Sequence, residues 1–163
     1  MKVFKNRGFA LAVLVLVIVA GSVYGLSRKP IAVEYHQWIA DDAGVLTAET
    51  QKTIKEYNEQ WEKKYKSAAV AVAAVDSTHG WSGKKYASML GKEWNLGQND
   101  MLLLLVKNDN YYVALGDSVA PYVDEAKIKS LIDGYYYDDG DYDRAALSFF
   151  RAADVVYAQI FQK

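Results

Sequence analysis

The stretch from Met101 to Leu115, MLLLLVKNDNYYVAL, decides the fold. Met101 to Val106 is a short unbroken apolar run, the pattern of a strand buried on both faces. Asn108-Asp109-Asn110 follows as turn chemistry, because Asn and Asp tolerate left-handed backbone and bond to their own main chain. Tyr111 to Leu115 (YYVAL) then returns as the antiparallel partner of a hairpin. Upstream, Ala68 to Val75 (AAVAVAAV) is a second short apolar run, ended by Asp76, and its many alanines imply a helix packed close against it.

Between and around these strands the apolar period changes to that of helices. Thr47 is a suitable cap for a helix running to Lys66 with Ile54, Tyr57, Trp61 and Tyr65 on one face, its other face charged and solvated. After a loop from Ser77 to Ser82, Gly83 to Asn95 reads as a second helix with Tyr86, Leu90 and Trp94 in one stripe and Ser82 as its cap. Asp124 caps a third helix with Ile128, Leu131 and Ile132 inward, and Asp141 opens a last one through Leu147, Phe150, Tyr157, Ile160 and Phe161. Strands alternating with helices, plus one hairpin, predict an α/β fold: a three-layer α/β/α sandwich on a mixed sheet.

The N-terminus is different material. Phe9 to Leu26 (FALAVLVLVIVAGSVYGL) holds 18 residues without a charge, spanning about 27 Å as a helix, close to the hydrocarbon thickness of a bilayer. Lys2, Lys5 and Arg7 precede it and Arg28 and Lys29 follow, so the positive-inside bias places the N-terminus in the cytoplasm. The division expected is a cytoplasmic segment at 1–8, a transmembrane signal-anchor helix at 9–26, a linker at 27–38 entered through Pro30, and a domain at 39–163 outside the cytoplasm. Val19-Ala20-Gly21 and Val23-Tyr24-Gly25 offer small residues for cleavage, and a cleaved segment would make the domain secreted. The apolar run exceeds the usual signal-peptide core, which favours the anchor.

The overall net charge of −1 averages two unlike parts, since residues 30–163 alone carry −6. An acidic domain argues against nucleic acid as a partner. Without cysteine there is no thiol catalysis, zinc-thiolate site or iron-sulfur cluster. His36 and His79 are the only histidines; His79, near Ser77 and Ser82, reads as a surface-loop residue rather than the base of a triad. Neither a phosphate-cradling GxxxxGK[ST] loop nor a GxGxxG fingerprint is present.

From Asp109 to Asp143 nine carboxylates face only Lys127 and Lys129. The tract Asp138-Asp139-Gly140-Asp141-Tyr142-Asp143 has oxygen ligands for a hard cation but fails the EF-hand pattern, with Arg144 where glycine is needed and Phe150 where the distal glutamate belongs. Helix ending at Gly140 and capping by Asp141 and Asp143 is the simpler account. Tyr135, Tyr136 and Tyr137 cannot all face inward from one helix. With Asp138, Asp139, Asp141 and Asp143 they form the candidate partner surface.

Taken together, Asp41-Asp42-Ala43-Gly44-Val45-Leu46-Thr47 before a long helix, Gly80-Trp81-Ser82 with Tyr86-Ala87 before Trp94-Asn95-Leu96-Gly97, the run Met101 to Val106, and Gly140-Asp141-Tyr142-Asp143 resemble the TPM domain over about residues 39 to 161. That family takes its name from a thylakoid-lumen protein of photosystem II repair and an auxiliary subunit of an acetylcholine receptor. The resemblance implies an α/β/α sandwich tethered to a membrane and facing away from the cytosol. It also implies divalent-cation binding in some members and acid phosphatase activity in the thylakoid branch. Asp41 matches the aspartate of the family's D-x-A-G-x-L, and Gly140 to Asp143 match its G-D-Y-D. The family's D-N-G appears as Gln98-Asn99-Asp100, and its G-Y-G-L-E as Gly116-Asp117-Ser118-Val119-Ala120, which keeps only the first glycine.

Three functions are compatible with these residues. The leading one is a membrane-anchored, extracytoplasmic module that binds a membrane-protein partner or assists assembly of a membrane complex. A second is a phosphomonoesterase using Asp41 and Asp100 as ligands of calcium or another divalent cation, with bound water as nucleophile. The third is a calcium-stabilised structural domain. No cofactor is established by the residues themselves.

Overall fold

The computed structural model describes residues 38–162. The expected anchor at 9–26, the segment 1–8, His36 and all of the linker but Trp38 lie outside the described residues. Four strands, β1 (Ile39–Asp41), β2 (Val70–Val75), β3 (Met101–Val106) and β4 (Tyr111–Leu115), form one sheet in the order β1-β2-β3-β4. The β1-β2 and β2-β3 pairs are parallel and β3-β4 is antiparallel. The helices are α1 (Ala48–Lys64), α2 (Gly83–Glu93), α3 (Glu125–Asp133) and α4 (Tyr142–Phe161), and a single π-helical turn, Gly134–Asp138, continues from α3. The result is a mixed four-stranded α/β fold with helices on both faces of the sheet.

The strand pleat divides the core in two. Val70, Val72, Ala74, Met101, Leu103 and Leu105 point to one face and are covered by Ile54 and Trp61 of α1, Ile128 and Ile132 of α3, and Phe149, Phe150 and Tyr157 of α4. Ala71, Ala73, Val75, Leu102, Leu104 and Val106 point to the other and meet Tyr86, Ala87 and Leu90 of α2. Small residues let α2 settle close: a Cβ on Gly83 would come within 2.0 Å of the Tyr112 ring. On the opposite face Trp61 stacks on Phe150 at 5.5 Å and meets Tyr157 edge-on at 5.1 Å, which ties α1 to α4.

The caps follow the local chemistry in three of four cases. Thr47, Asp124 and Asp141 each accept a main-chain N–H of their own first turn, which satisfies donors that a helix start leaves unpaired. Ser82 occupies the capping position of α2 but makes no side-chain bond there. Helix α1 ends at Lys64, two residues before the expected end, because Lys66 and Ser67 take positive φ (54° and 60°) and turn the chain into β2. In α3, Ile128 and Ile132 are buried while Leu131 faces out, 40% exposed. The expected inward stripe therefore loses one member: a helix over a sheet edge buries only the narrow strip that the sheet can cover. In α4, Leu147 is half-buried, and Ala145, Ala146 and Phe149 fill the interior beside Phe150 and Tyr157.

Candidate functional site

Asp41 ends β1, and both of its oxygens are used locally. Oδ1 accepts the Val45 N–H at 3.0 Å, and Oδ2 accepts the Leu46 N–H at 2.9 Å and the Gln51 side-chain amide at 3.4 Å. The carboxylate thereby shapes the turn that delivers the chain to α1. Asp100 does the same work at another loop, accepting the Ala69 N–H at 2.9 Å and the Gly97 N–H at 2.6 Å. Burial raises its pKa above the ordinary aspartate value, against the two N–H bonds that pull it down.

The two carboxylates do not meet. Asp41 is level with Ala74 and, through it, with Leu105, whereas Asp100 precedes Met101 at the start of β3. Five strand positions separate them, about 16 Å along the sheet, and two strand spacings add about 10 Å across it. A shared cation at about 2.3 to 2.6 Å from each is geometrically excluded. The expected pairing fails because parallel strands put the end of β1 and the start of β3 at opposite ends of the sheet. Among the described residues no group of three or more Asp, Glu or His converges to hold a metal, so the cation implied by the resemblance finds no fitting donor set there. His79 sits exposed in its loop at φ 49°, its main-chain N–H bonding Ser77 Oγ at 3.4 Å, with no triad geometry.

The tyrosine and acid tract proves to be mostly architecture. Tyr136 is buried; its hydroxyl donates to the Val106 carbonyl and accepts the Val106 N–H. The Tyr137 hydroxyl donates to Asn110 Oδ1, and the Tyr142 hydroxyl accepts the Asn108 N–H at 2.9 Å. Three phenols thus clamp the β3-β4 turn from the segment joining α3 to α4. Burial and the coulombic influence of Tyr142 hold the Tyr136 phenol well above its usual range. Tyr111 is raised in the same direction by burial and by donating to Asp133 Oδ1 at 2.6 Å. Asp141 caps α4 and pairs with Arg144 at 3.3 Å, and Asp143 accepts the Thr47 N–H at 2.9 Å, joining the starts of α1 and α4. Gly140, at φ 62°, makes the left-handed step that lets Asp141 begin the helix. Of the seven residues proposed as a partner surface, Tyr136 leaves the surface altogether and Asp141 and Asp143 hold the chain. Tyr135, Tyr137, Asp138 and Asp139 remain exposed.

Exposed apolar side chains gather in the same quarter. Tyr122 (40%), Leu131 (40%), Tyr135 (37%), Tyr137 (48%) and Val155 (60%) are the large hydrophobic residues on the surface among the described residues. Four of them, all but Tyr137, line one groove of about 650 Å³ between α3 and α4. A second groove of about 540 Å³ lies on the other side of α3, against β4 and Tyr137. Periodicity could not point to Tyr122 or Val155, since an exposed apolar residue on a helix or turn looks like a core residue until the packing is known. Sequence reasoning also missed Asn58 and Asp154. Asn58 is buried and bonds both the N–H and the C=O of Val70, and Asp154 Oδ1 accepts from Trp61 Nε1 at 2.8 Å and Tyr65 Oη at 3.1 Å. Both read as ordinary helix-surface residues, and only the interruption of apolar neighbours by a polar side chain hints at them.

The comparisons with known proteins agree on the fold. The family model of the TPM domain matches residues 39–156. No curated protein matches the chain. Among solved structures, the N-terminal domain of a protein from P. gingivalis is similar at 16% identity and TM-score 0.65, covering 77% of this chain and 85% of that one. The BA42 protein from the psychrophilic bacterium Bizionia argentinensis is similar at 16% identity and TM-score 0.62, covering 74% and 87%. An N-terminal domain from Corynebacterium glutamicum follows at 14% identity and TM-score 0.54, covering 81% and 84%. At these identities the structural likeness speaks for the fold, and the family assignment rests on the match across residues 39–156, well over half the sequence: the chain belongs to the TPM domain family.

Proposed function

We propose that this TPM domain is a binding module, carried outside the cytoplasm on an uncleaved anchor at 9–26 and docking a membrane-protein partner through the face around α3. The observation that carries the reading is the concentration of exposed apolar side chains there, Leu131, Tyr135 and Val155 foremost. Large apolar groups gathered on one surface patch mark interaction sites more often than chance exposure. Aromatic residues are also the common anchors of protein interfaces. The charge asymmetry about residues 9–26 supports the anchor and its direction. A phosphomonoesterase working through Asp41 and Asp100 is not proposed, because those carboxylates lie at opposite ends of the sheet.

The test is co-purification from solubilised membranes of the full-length chain and of a Leu131→Ser/Val155→Ser variant. Both positions are exposed, so stability changes by no more than about 0.5 kcal/mol per site. The wild type is expected to bring down a partner in fixed ratio and the variant to lose it. A monodisperse, partnerless wild type contradicts the reading. The mass of the membrane-fraction protein checks the anchor, since cleavage after the small-residue sites would remove about 20 to 25 residues.

A further inference from the structure

The outer edge of β4 is open. Val106 N–H bonds to the Asn110 carbonyl and Gly116 N–H to the Asp100 carbonyl, and with the register Leu104↔Tyr112 and Leu102↔Ala114 these fix which residues of β4 bond to β3. Tyr112 and Ala114 spend their main-chain groups on β3, so the N–H and C=O of Tyr111, Val113 and Leu115 point away from the sheet. Among the described residues nothing takes them, since β4 is the last strand. Sheet edges of this kind are usually blunted by prolines, bulges or a covering element. Here the edge instead borders the second groove, with Val123, Ala126 and Ile128 behind it and Lys84, Lys129 and Glu125 on its rim. At the hairpin end stand two carboxylates, Asp109 in the turn itself and Asp133, which accepts the Tyr111 hydroxyl, and both act on Tyr137 beside them.

We infer that β4 takes an added strand: an extended segment of a partner protein, apolar where it faces Val113 and Ile128 and basic where it reaches the hairpin end. Strand addition draws affinity from main-chain bonds to the exposed edge and specificity from alternate side chains in the adjoining groove. Both parts are here: five residues of edge, about 17 Å long, and an apolar groove beside them. The excess of carboxylates at one end sets the charge of the partner segment and its direction. This inference rests on the binding-module reading and names the kind of partner it engages.

The probe is a fluorescein-labelled synthetic heptapeptide of alternating valine and threonine ending in two lysines, titrated into the full-length chain in detergent micelles. Saturable binding is expected, with amide exchange at Tyr111, Val113 and Leu115 slowed at least about tenfold while Tyr112 and Ala114 stay as they were. A copy of the peptide ending in two glutamates should bind at least about tenfold more weakly. Val113→Pro removes an outward N–H and leaves the β3 bonds in place, and Ala126→Trp fills the groove from an exposed position. Each variant should weaken binding at least about tenfold, and the second keeps the test decisive if the first fails to fold.

No saturable binding, protection elsewhere, or equal binding of the acidic peptide overturns the inference. Concentration-dependent protection of the same amides without peptide also overturns it, since that is β4 of one copy pairing with β4 of another. A partner that co-purifies equally with wild type and Ala126→Trp removes strand addition but leaves the binding module standing. Loss of the partner itself removes both.

Discussion

β3 and β4 are neighbours of similar length and similarly apolar sequence, yet every residue of β3 is buried and every residue of β4 is half-buried. The difference is position. β3 has a strand on each side and helices on both faces, whereas β4 has β3 on one side, α2 packed on one face, a groove toward α3 on the other face, and an open edge. Sheet position rather than hydrophobicity therefore decides where this protein is sealed and where it can meet another molecule. The sealed part carries stability, the open edge carries the inferred strand addition, and Leu131, Tyr135 and Val155, on the other side of α3, carry the proposed docking.

If that contrast is right, the sharpest way to break it is a cavity in β3. Leu103→Ala should cost about 4 kcal/mol in urea unfolding, as full burial leaves no room for solvent to relax the hole. Val113→Ala, half-buried on β4, should cost less than half as much. Next comes the edge itself. Tyr112→Pro removes a bond to β3 and should cost about 3 kcal/mol, while Val113→Pro removes an outward N–H and should cost under about 1 kcal/mol. Equal losses would mean that the parity of β4 is wrong.

Asp100 tests the start of β3, where the strand leaves its loop. Asp100→Ala strands the N–H groups of Ala69 and Gly97 and should cost about 2 kcal/mol. Its pH dependence has a definite sign. The folded-state pKa is raised above 3.8, so the folded protein holds this proton more tightly than the unfolded chain. The stability it contributes is fully present below 3.8 and is lost as pH rises through the raised value. The advantage of the wild type over Asp100→Asn should thus shrink as pH rises from below 3.8, and growth in that direction would reverse the assignment. The smallest expected effect is at the surface. Leu131→Ser should change stability by no more than about 0.5 kcal/mol, and a larger loss would show that α3 is held down by more of its length than Ile128 and Ile132.

What the sequence made legible was what local chemistry determines. The hairpin at 101–115 could be read because its turn residues and apolar runs lie within fifteen positions. The caps at Thr47, Asp124 and Asp141 could be read because each serves only its own helix. The candidate metal pair was not legible, because whether Asp41 and Asp100 meet depends on strand direction and order across the sheet. The same global choice made β4 an edge, and no residue in YYVAL states that it is last. Leu131 was misplaced because Ile128, Leu131 and Ile132 share a stripe by periodicity, and only the width of the sheet beneath decides which are covered. Tyr135 to Tyr137 were separable in principle, as three consecutive residues of one helix cannot all face inward. The π-helical turn and the bonds from Tyr136 to Val106 chose which one.

The most direct test of an open β4 is amide hydrogen exchange across the strand, residue by residue, in the full-length chain without any partner. Tyr112 and Ala114 should be protected to nearly the global stability, while Tyr111, Val113 and Leu115 should exchange orders of magnitude faster. Uniform protection along β4 would mean that the edge is already covered, and the contrast with β3, together with the strand-addition site, would fall.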